Sequence, residues 1–199
     1  MAPWWYRNYV TLGRFVPFTT AGGFNLWKGH SDLAIGTGMA ADGRIIHIAD
    51  DRIPKQAALL PFRRDFEVAF DKMYLESAID FMRHNPARSF VILPARKFPY
   101  YWLVDTASAS AHHPLYWGPW AMLLPAFLIG IFFSLRNLRP FLLPYLLCFM
   151  STATSMISFV PPRYRMVIEP FVLIVAVFGI SRFVGSLRAA RTFGARELR

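Results

Sequence analysis

GPWAMLLPAFLIGIFFSL (118–135), PFLLPYLLCFMSTATSMISFV (140–160) and MVIEPFVLIVAVFGISRFV (166–184) are three apolar runs separated only by RNLR and PPRYR. Each approaches the roughly 20 residues that a helix needs to cross a bilayer, and the middle run holds no charged residue. As buried helices of a water-soluble core, three such runs in succession would leave no polar face toward solvent. They predict three transmembrane helices. Pro125, Pro144 and Pro170 predict kinks rather than breaks, because neighbouring helices re-satisfy backbone groups that proline frees in lipid.

Working outward, the segment 185–199 carries Arg188, Arg191, Arg196 and Arg199, with Arg182 at its edge and Glu197 as its one acid. The excess of arginine predicts a cytoplasmic basic tail. Counting back through three crossings, the RNLR loop is cytoplasmic, the PPRYR loop is outside, and residues 1–117 form an extracytoplasmic region. The predicted fold class is therefore mainly α and integral to the membrane, an extracytoplasmic loop and helical region followed by about three C-terminal transmembrane helices. The chain of 199 residues is 55% hydrophobic with a formal net charge of +10. Its arginines form no solvated stripe, so the charge does not read as nucleic-acid binding. The single Cys148 lies inside an apolar run, which excludes a disulfide scaffold.

An outer region this long needs something to carry it across, yet the chain begins MAPWWYRNYV, with neither a basic n-region nor an apolar h-region. The expectation is an N-terminal membrane half or a separate membrane partner. Residues 3–31, rich in Gly, Asn, Thr and aromatics, read as loop with short β-like pieces such as Arg14 to Phe18. Residues 32–61 read as irregular. From about 63 to 84, Phe66, Phe70, Met73, Ala78, Phe81 and Met82 recur at helical spacing among charges and predict an amphipathic helix ended by Asn85-Pro86. Residues 87–104 are apolar but interrupted by Pro94, Arg96, Lys97 and Pro99, and read as an interfacial or re-entrant segment with Tyr100, Tyr101 and Trp102 in the headgroup belt.

Candidate binding residues follow from this topology. Arg163 and Arg165 flank Tyr164 on the side of the membrane that basic residues usually avoid, which asks for an anionic partner. Two guanidinium groups hold a phosphate by bidentate hydrogen bonds while the ring contacts an isoprenoid or sugar; headgroup anchoring is the plainer alternative. Glu169, within a turn of the last span, is costly there unless paired, so an ion pair with Arg163 or Arg165 is expected. Lys97 is a second phosphate candidate, against a snorkelling structural lysine. Arg7 and Asn8, and the turn Gly22-Gly23-Phe24-Asn25 with Trp27 after it, are candidates to line a sugar pocket, Asn25 by hydrogen bonds and Trp27 by stacking. A turn with aromatic anchors explains them equally well. The adjacent His112 and His113 lack further ligands at metal spacing, so no metal is expected, and His30-Ser31-Asp32 reads as loop.

The run PWWYRNY, then GRFVPFTTAGGFNLWKG, a charged helix closed by HNP, ARKFPYYW, and three spans with RYRMVIEPF leading the last together resemble the C-terminal half of bacterial membrane glycosyltransferases of the GT-C class. The nearest kinds are the protein O-mannosyltransferase and aminoarabinose-transferase types. The resemblance implies a multi-pass enzyme of the bacterial inner membrane that takes a sugar from a polyprenyl-phosphate donor, with no other cofactor, and gives it to a lipid, glycan or protein. It also implies that the catalytic base lies in a first extracytoplasmic loop between N-terminal membrane helices. No such loop is present here, so the catalytic residue is unknown and the chain is expected to be inactive alone. Were it active alone, Asp32, Asp50 and Asp51 would be the bases to consider. A noncatalytic membrane subunit that binds lipid phosphate or a partner helix bundle is the alternative.

Overall fold

The computed structural model describes residues 2–16, 19–103, 106, 113–160 and 162–197, without the side chains of Ala57, Tyr116, Pro162, Arg163 and residues 189–197. It is 74% helical with no strand among the described residues. The chain divides into two units, Met1–Ala109 with Thr154–Pro161, and Ser110–Ala153 with Pro162–Arg199.

The first unit contains α1 (Ala2–Leu12), α2 (Gly22–Gly29), the short α3 (Ile46–Ala49) and α4 (Arg52–Ala57), α5 (Phe66–His84), a π-helical turn (Arg88–Ile92) and α6 (Leu93–Trp102). Its core gathers Trp27, Ala34, Ile46, Ile53, Tyr74, Ala78, Phe81 and Leu93. Tyr74, Ala78 and Phe81 lie four and three residues apart, the spacing that puts them on one stripe of α5. Against that stripe packs α2, with the Trp27 and Tyr74 rings 5.0 Å apart. The approach is close at Gly23, where a Cβ would lie 2.2 Å from the Asp71 carbonyl oxygen.

Residues 3–31, expected as loop with a β-like piece at 14–18, instead fold mostly as two helices, and Arg14–Val16 is not a strand; Pro17 and Phe18 lie outside the described residues. The signal for α2 is not local. Its N-terminus has no cap from its own side chains; the Asp71 carboxylate on α5 accepts from the Gly23 N–H (2.9 Å) and the Phe24 N–H (2.8 Å). A carboxylate there satisfies two orphan donors and complements the positive helix end. Asp71→Ala is expected to cost about 1–2 kcal/mol, read as a lower denaturation midpoint, and an unchanged midpoint would show that the cap contributes nothing.

The helix expected over 63–84 begins at Phe66, and the interrupted segment 87–104 folds as the π-helical turn and α6, with Pro94 in the first turn of α6 and Pro99 inside it.

The second unit contains α7 (Pro114–Ser134), a 3-10 turn (Arg139–Phe141), most of α8 (Leu142–Ile157), a 3-10 turn (Pro162–Val167) and α9 (Glu169–Glu197). Three windows are long and apolar enough to cross a membrane, Trp117–Ser134, Arg139–Ile157 and Glu169–Arg188, with mean hydropathies of 1.5, 1.4 and 2.0. Only 22% of each window is buried inside the protein, so these helices turn apolar side chains such as Met122, Phe132 and Ile174 outward. The three expected runs are thus the three long helices, with shifted ends. The middle one stops at Ile157, the last starts at Glu169 after a 3-10 turn, and the expected tail 185–199 continues α9 through Glu197.

Gly130 of α7 faces α9, and a Cβ there would sit 2.1 Å from the Val175 carbonyl oxygen. From the other side, a Cβ on Gly179 would come within 2.3 Å of the Gly130 nitrogen. Small residues that bring helix backbones together are the usual device where lipid leaves no hydrophobic drive between helices. Phe141 packs on Phe178 at 4.6 Å.

Candidate functional site

The candidate residues fall in both units: Arg7, Asn25 and Lys97 in the first, Arg163, Tyr164, Arg165 and Glu169 in the second.

In the second unit the 3-10 turn Pro162–Val167 leads into α9, and the Ile168 N–H donates to the Arg165 carbonyl at 2.8 Å. Arg165 is 5% exposed, with its guanidinium carbon 4.9 Å from the centre of the Trp120 ring. A guanidinium over an indole ring is attracted by the ring's electrons. Tyr164 is half-buried, and the Arg163 side chain lies outside the described residues. Glu169 forms no ion pair with Arg165 among the described residues. It is exposed as the first residue of α9, where the positive end of the helix dipole favours a carboxylate.

In the first unit the Lys97 side chain is 0% exposed. Its Nζ donates to the carbonyls of Met156 (2.9 Å) and Ser158 (2.5 Å) and lies 3.3 Å from His30 Nε2. Two glycines make room for it. A Cβ on Gly29 would fall 1.9 Å from the Ser158 oxygen, and one on Gly36 would come 2.9 Å from Lys97 Cγ. Gly36 also has φ +112, a conformation that side chains rarely adopt.

Burial pushes the Lys97 amine down to about 7. Burial, then the charge of Lys97, pushes His30 down to about 4. His30 Nε2 also lies 2.8 Å from the Ile157 carbonyl, so the network places its proton on Nε2, as a donor. In its neutral form the lysine donates to the two carbonyls and can turn its lone pair to that N–H. His30 Nδ1 remains buried without a partner. Phosphate binding by Lys97 requires Nζ to leave all three of these partners. The neighbouring Arg96 is exposed instead and lines a recess of 490 Å³ with Ile35, Ala41, Pro99 and Tyr100. The interrupted apolar pattern of 87–104 gave no sign of which of the two cations is buried.

Arg7 is exposed on α1, 5.2 Å from the centre of the Trp4 ring, and lines a recess of 260 Å³ with Asn8, Thr11, Thr19, Thr20 and Glu67. Asn8 is buried there, its Nδ2 donating to the Val16 carbonyl at 3.0 Å. Asn25 is half-buried on α2 and is not among the residues lining that recess, and Trp27 belongs to the core rather than to a sugar-stacking face.

The carboxylates considered as bases are engaged. Asp50 receives two hydrogen bonds from the Arg52 side chain, at 2.8 and 2.6 Å, and one from its backbone N–H, at 3.2 Å, and the side-chain pair above all holds its carboxyl below the usual range. Asp32 meets the same arginine at 3.2 Å, and Asp51 pairs with Lys55 at 2.6 Å. Among the described residues no group of three His, Cys, Asp or Glu is placed to hold a metal; His112 lies outside them. No protein-family model, no curated protein and no solved structure matches the chain.

Proposed function

We propose that the chain is a multi-pass protein of the bacterial inner membrane with its C-terminus in the cytoplasm, and that it supplies the lipid-phosphate-binding part of a glycosyltransferase that uses a polyprenyl-phosphate sugar. The observation that carries this reading is Arg165. It is buried beside Trp120 in the turn that opens the last membrane-length helix, between two helices apolar enough to span. A desolvated guanidinium at that level suits a lipid phosphate, whose oxygens match its fork. The sequence resemblance supplies the sugar donor and the direction of transfer, and Arg182 and Arg188 at the far end of α9 support a cytoplasmic C-terminus. The engagement of Asp32, Asp50 and Asp51 in ion pairs favours a base from another polypeptide segment. It equally supports the second reading, a noncatalytic subunit that binds lipid phosphate.

Arg165→Ala is expected to weaken binding of polyprenyl phosphate to the nanodisc-embedded chain by roughly tenfold to a hundredfold, the loss of one charge-assisted pair. Arg165→Lys is expected to recover only part of that affinity, because an ammonium lacks the planar fork, whereas Arg188→Ala retains parental binding. Equal affinity in Arg165→Ala and the parent would reduce Arg165 to a headgroup anchor and defeat the proposal.

A further inference from the structure

We infer that the outward face of α1 is an interfacial seat for an anionic lipid bilayer. The inference rests on the membrane reading above.

At 3.6 residues per turn, Ala2, Trp5, Tyr6, Tyr9 and Val10 fall within one arc of about 140° on α1. All five are exposed, Tyr6 at 72% and Tyr9 at 60%. The opposite side carries Asn8, the one buried residue of the helix. The usual order of an amphipathic helix is therefore reversed: the polar residue faces the protein and the aromatic stripe faces out. Phe15 extends the stripe, its ring edge-on to Trp5 at 5.9 Å, and is itself 65% exposed.

The adjoining segment before α5 adds charge and more apolar surface. Arg64 Nε donates to the Thr11 carbonyl at 2.8 Å, Arg14 pairs with Asp65 at 3.2 Å, Arg63 is exposed, and Phe62 is 93% exposed. No acid occurs on α1. Tryptophan and tyrosine with arginine at their margin is the composition of the headgroup layer, where rings lie at the apolar boundary and guanidinium groups meet anionic lipid. In water, the same exposed rings would each lose roughly 25 cal/mol per Å² of apolar surface left unburied. The aromatic stripe runs the length of α1 from Ala2 to Val10, which suits a helix lying along the surface.

The test uses the full chain carrying Cys148→Ser and one new cysteine, Tyr6→Cys or Tyr9→Cys, labelled with a fluorophore. It is reconstituted in vesicles of phosphatidylcholine and phosphatidylglycerol that carry nitroxide lipids at either headgroup or acyl-chain depth. Leu128→Cys in the middle of α7 is the deep reference. Fluorophores at 6 and 9 are expected to be quenched mainly by the headgroup nitroxide, and the one at 128 mainly by the deep one. Combined Arg14→Gln, Arg63→Gln and Arg64→Gln is expected to reduce quenching at 6 and 9 and leave 128 unchanged. In the parent chain, needing no cysteine exchange, Trp5→Phe is expected to lower the share of tryptophan emission that brominated lipid quenches. Absence of lipid quenching at 6 and 9 while 128 responds overturns the inference. Absence at all three positions overturns the membrane reading with it.

Discussion

Gly130→Val is expected to separate α7 from α9. The first added atom would lie 2.1 Å from the Val175 carbonyl oxygen, where ordinary contact begins at 3.4 Å, so the helices must part by more than an ångström. The obstructing atoms are backbone, which cannot rotate aside as a side chain does. Overpacking of this kind costs about 1–3 kcal/mol or more, and the parting also forfeits the close contacts that hold the helices together in lipid. The expected readout is a large drop in thermal midpoint in detergent and loss of cross-linking between cysteines placed on the two helices. Gly185→Ala is the control, since a Cβ there meets nothing within 4 Å and alanine favours helix by up to about 1 kcal/mol. Equal stability of the two variants would mean that the helices do not cross at Gly130.

Lys97→Met is expected to be the most damaging change in the first unit. It removes the donor to two partly buried carbonyls at the end of α8, and each orphaned acceptor costs about 1–3 kcal/mol in so far as water cannot reach it. The parent chain also carries a pH signature that the variant lacks. Folded Lys97 titrates at about 7 against 10.5 for the ordinary side chain, so between those values the unfolded chain holds the extra proton. Stability therefore rises with pH through that window, by up to about 1.4 kcal/mol per unit, and the contribution is absent below pH 7. His30, at about 4 against 6.5, adds a second rise between those two values, which runs into the first near pH 7. Denaturation midpoints measured from pH 4 to 10 should show both rises in the parent and only the lower one in Lys97→Met. A parent profile flat from pH 7 to 10 would mean that Lys97 stays charged in the folded chain.

The two residues illustrate what was legible. The length and polarity of 118–184 required three helices whatever their partners, and three are present. Ala78 and Phe81 of the buried stripe on α5 were likewise visible as local periodicity, whereas Tyr74 was not. Lys97 was not. Its neighbours Arg96, Pro99 and Tyr100 suggest an interfacial cation, but its burial is decided by carbonyls 59 and 61 residues away and by room left at Gly29 and Gly36. The helix α2 was misread for the same reason, because its cap comes from Asp71, 48 residues from the Gly23 amide it receives.

Arg165 lies between these cases. The sequence placed it at the head of the last apolar run, while its seat beside Trp120 depends on how α7 packs against α9. Sequence alone determined which segments are apolar enough to leave water, because that free energy grows with the apolar surface of consecutive residues and needs no knowledge of partners. Tertiary structure decided which polar groups lose their water and what replaces it. A buried amine or helix end is stable only beside a complementary group, and for Lys97 and the start of α2 that group sits dozens of residues away in the chain.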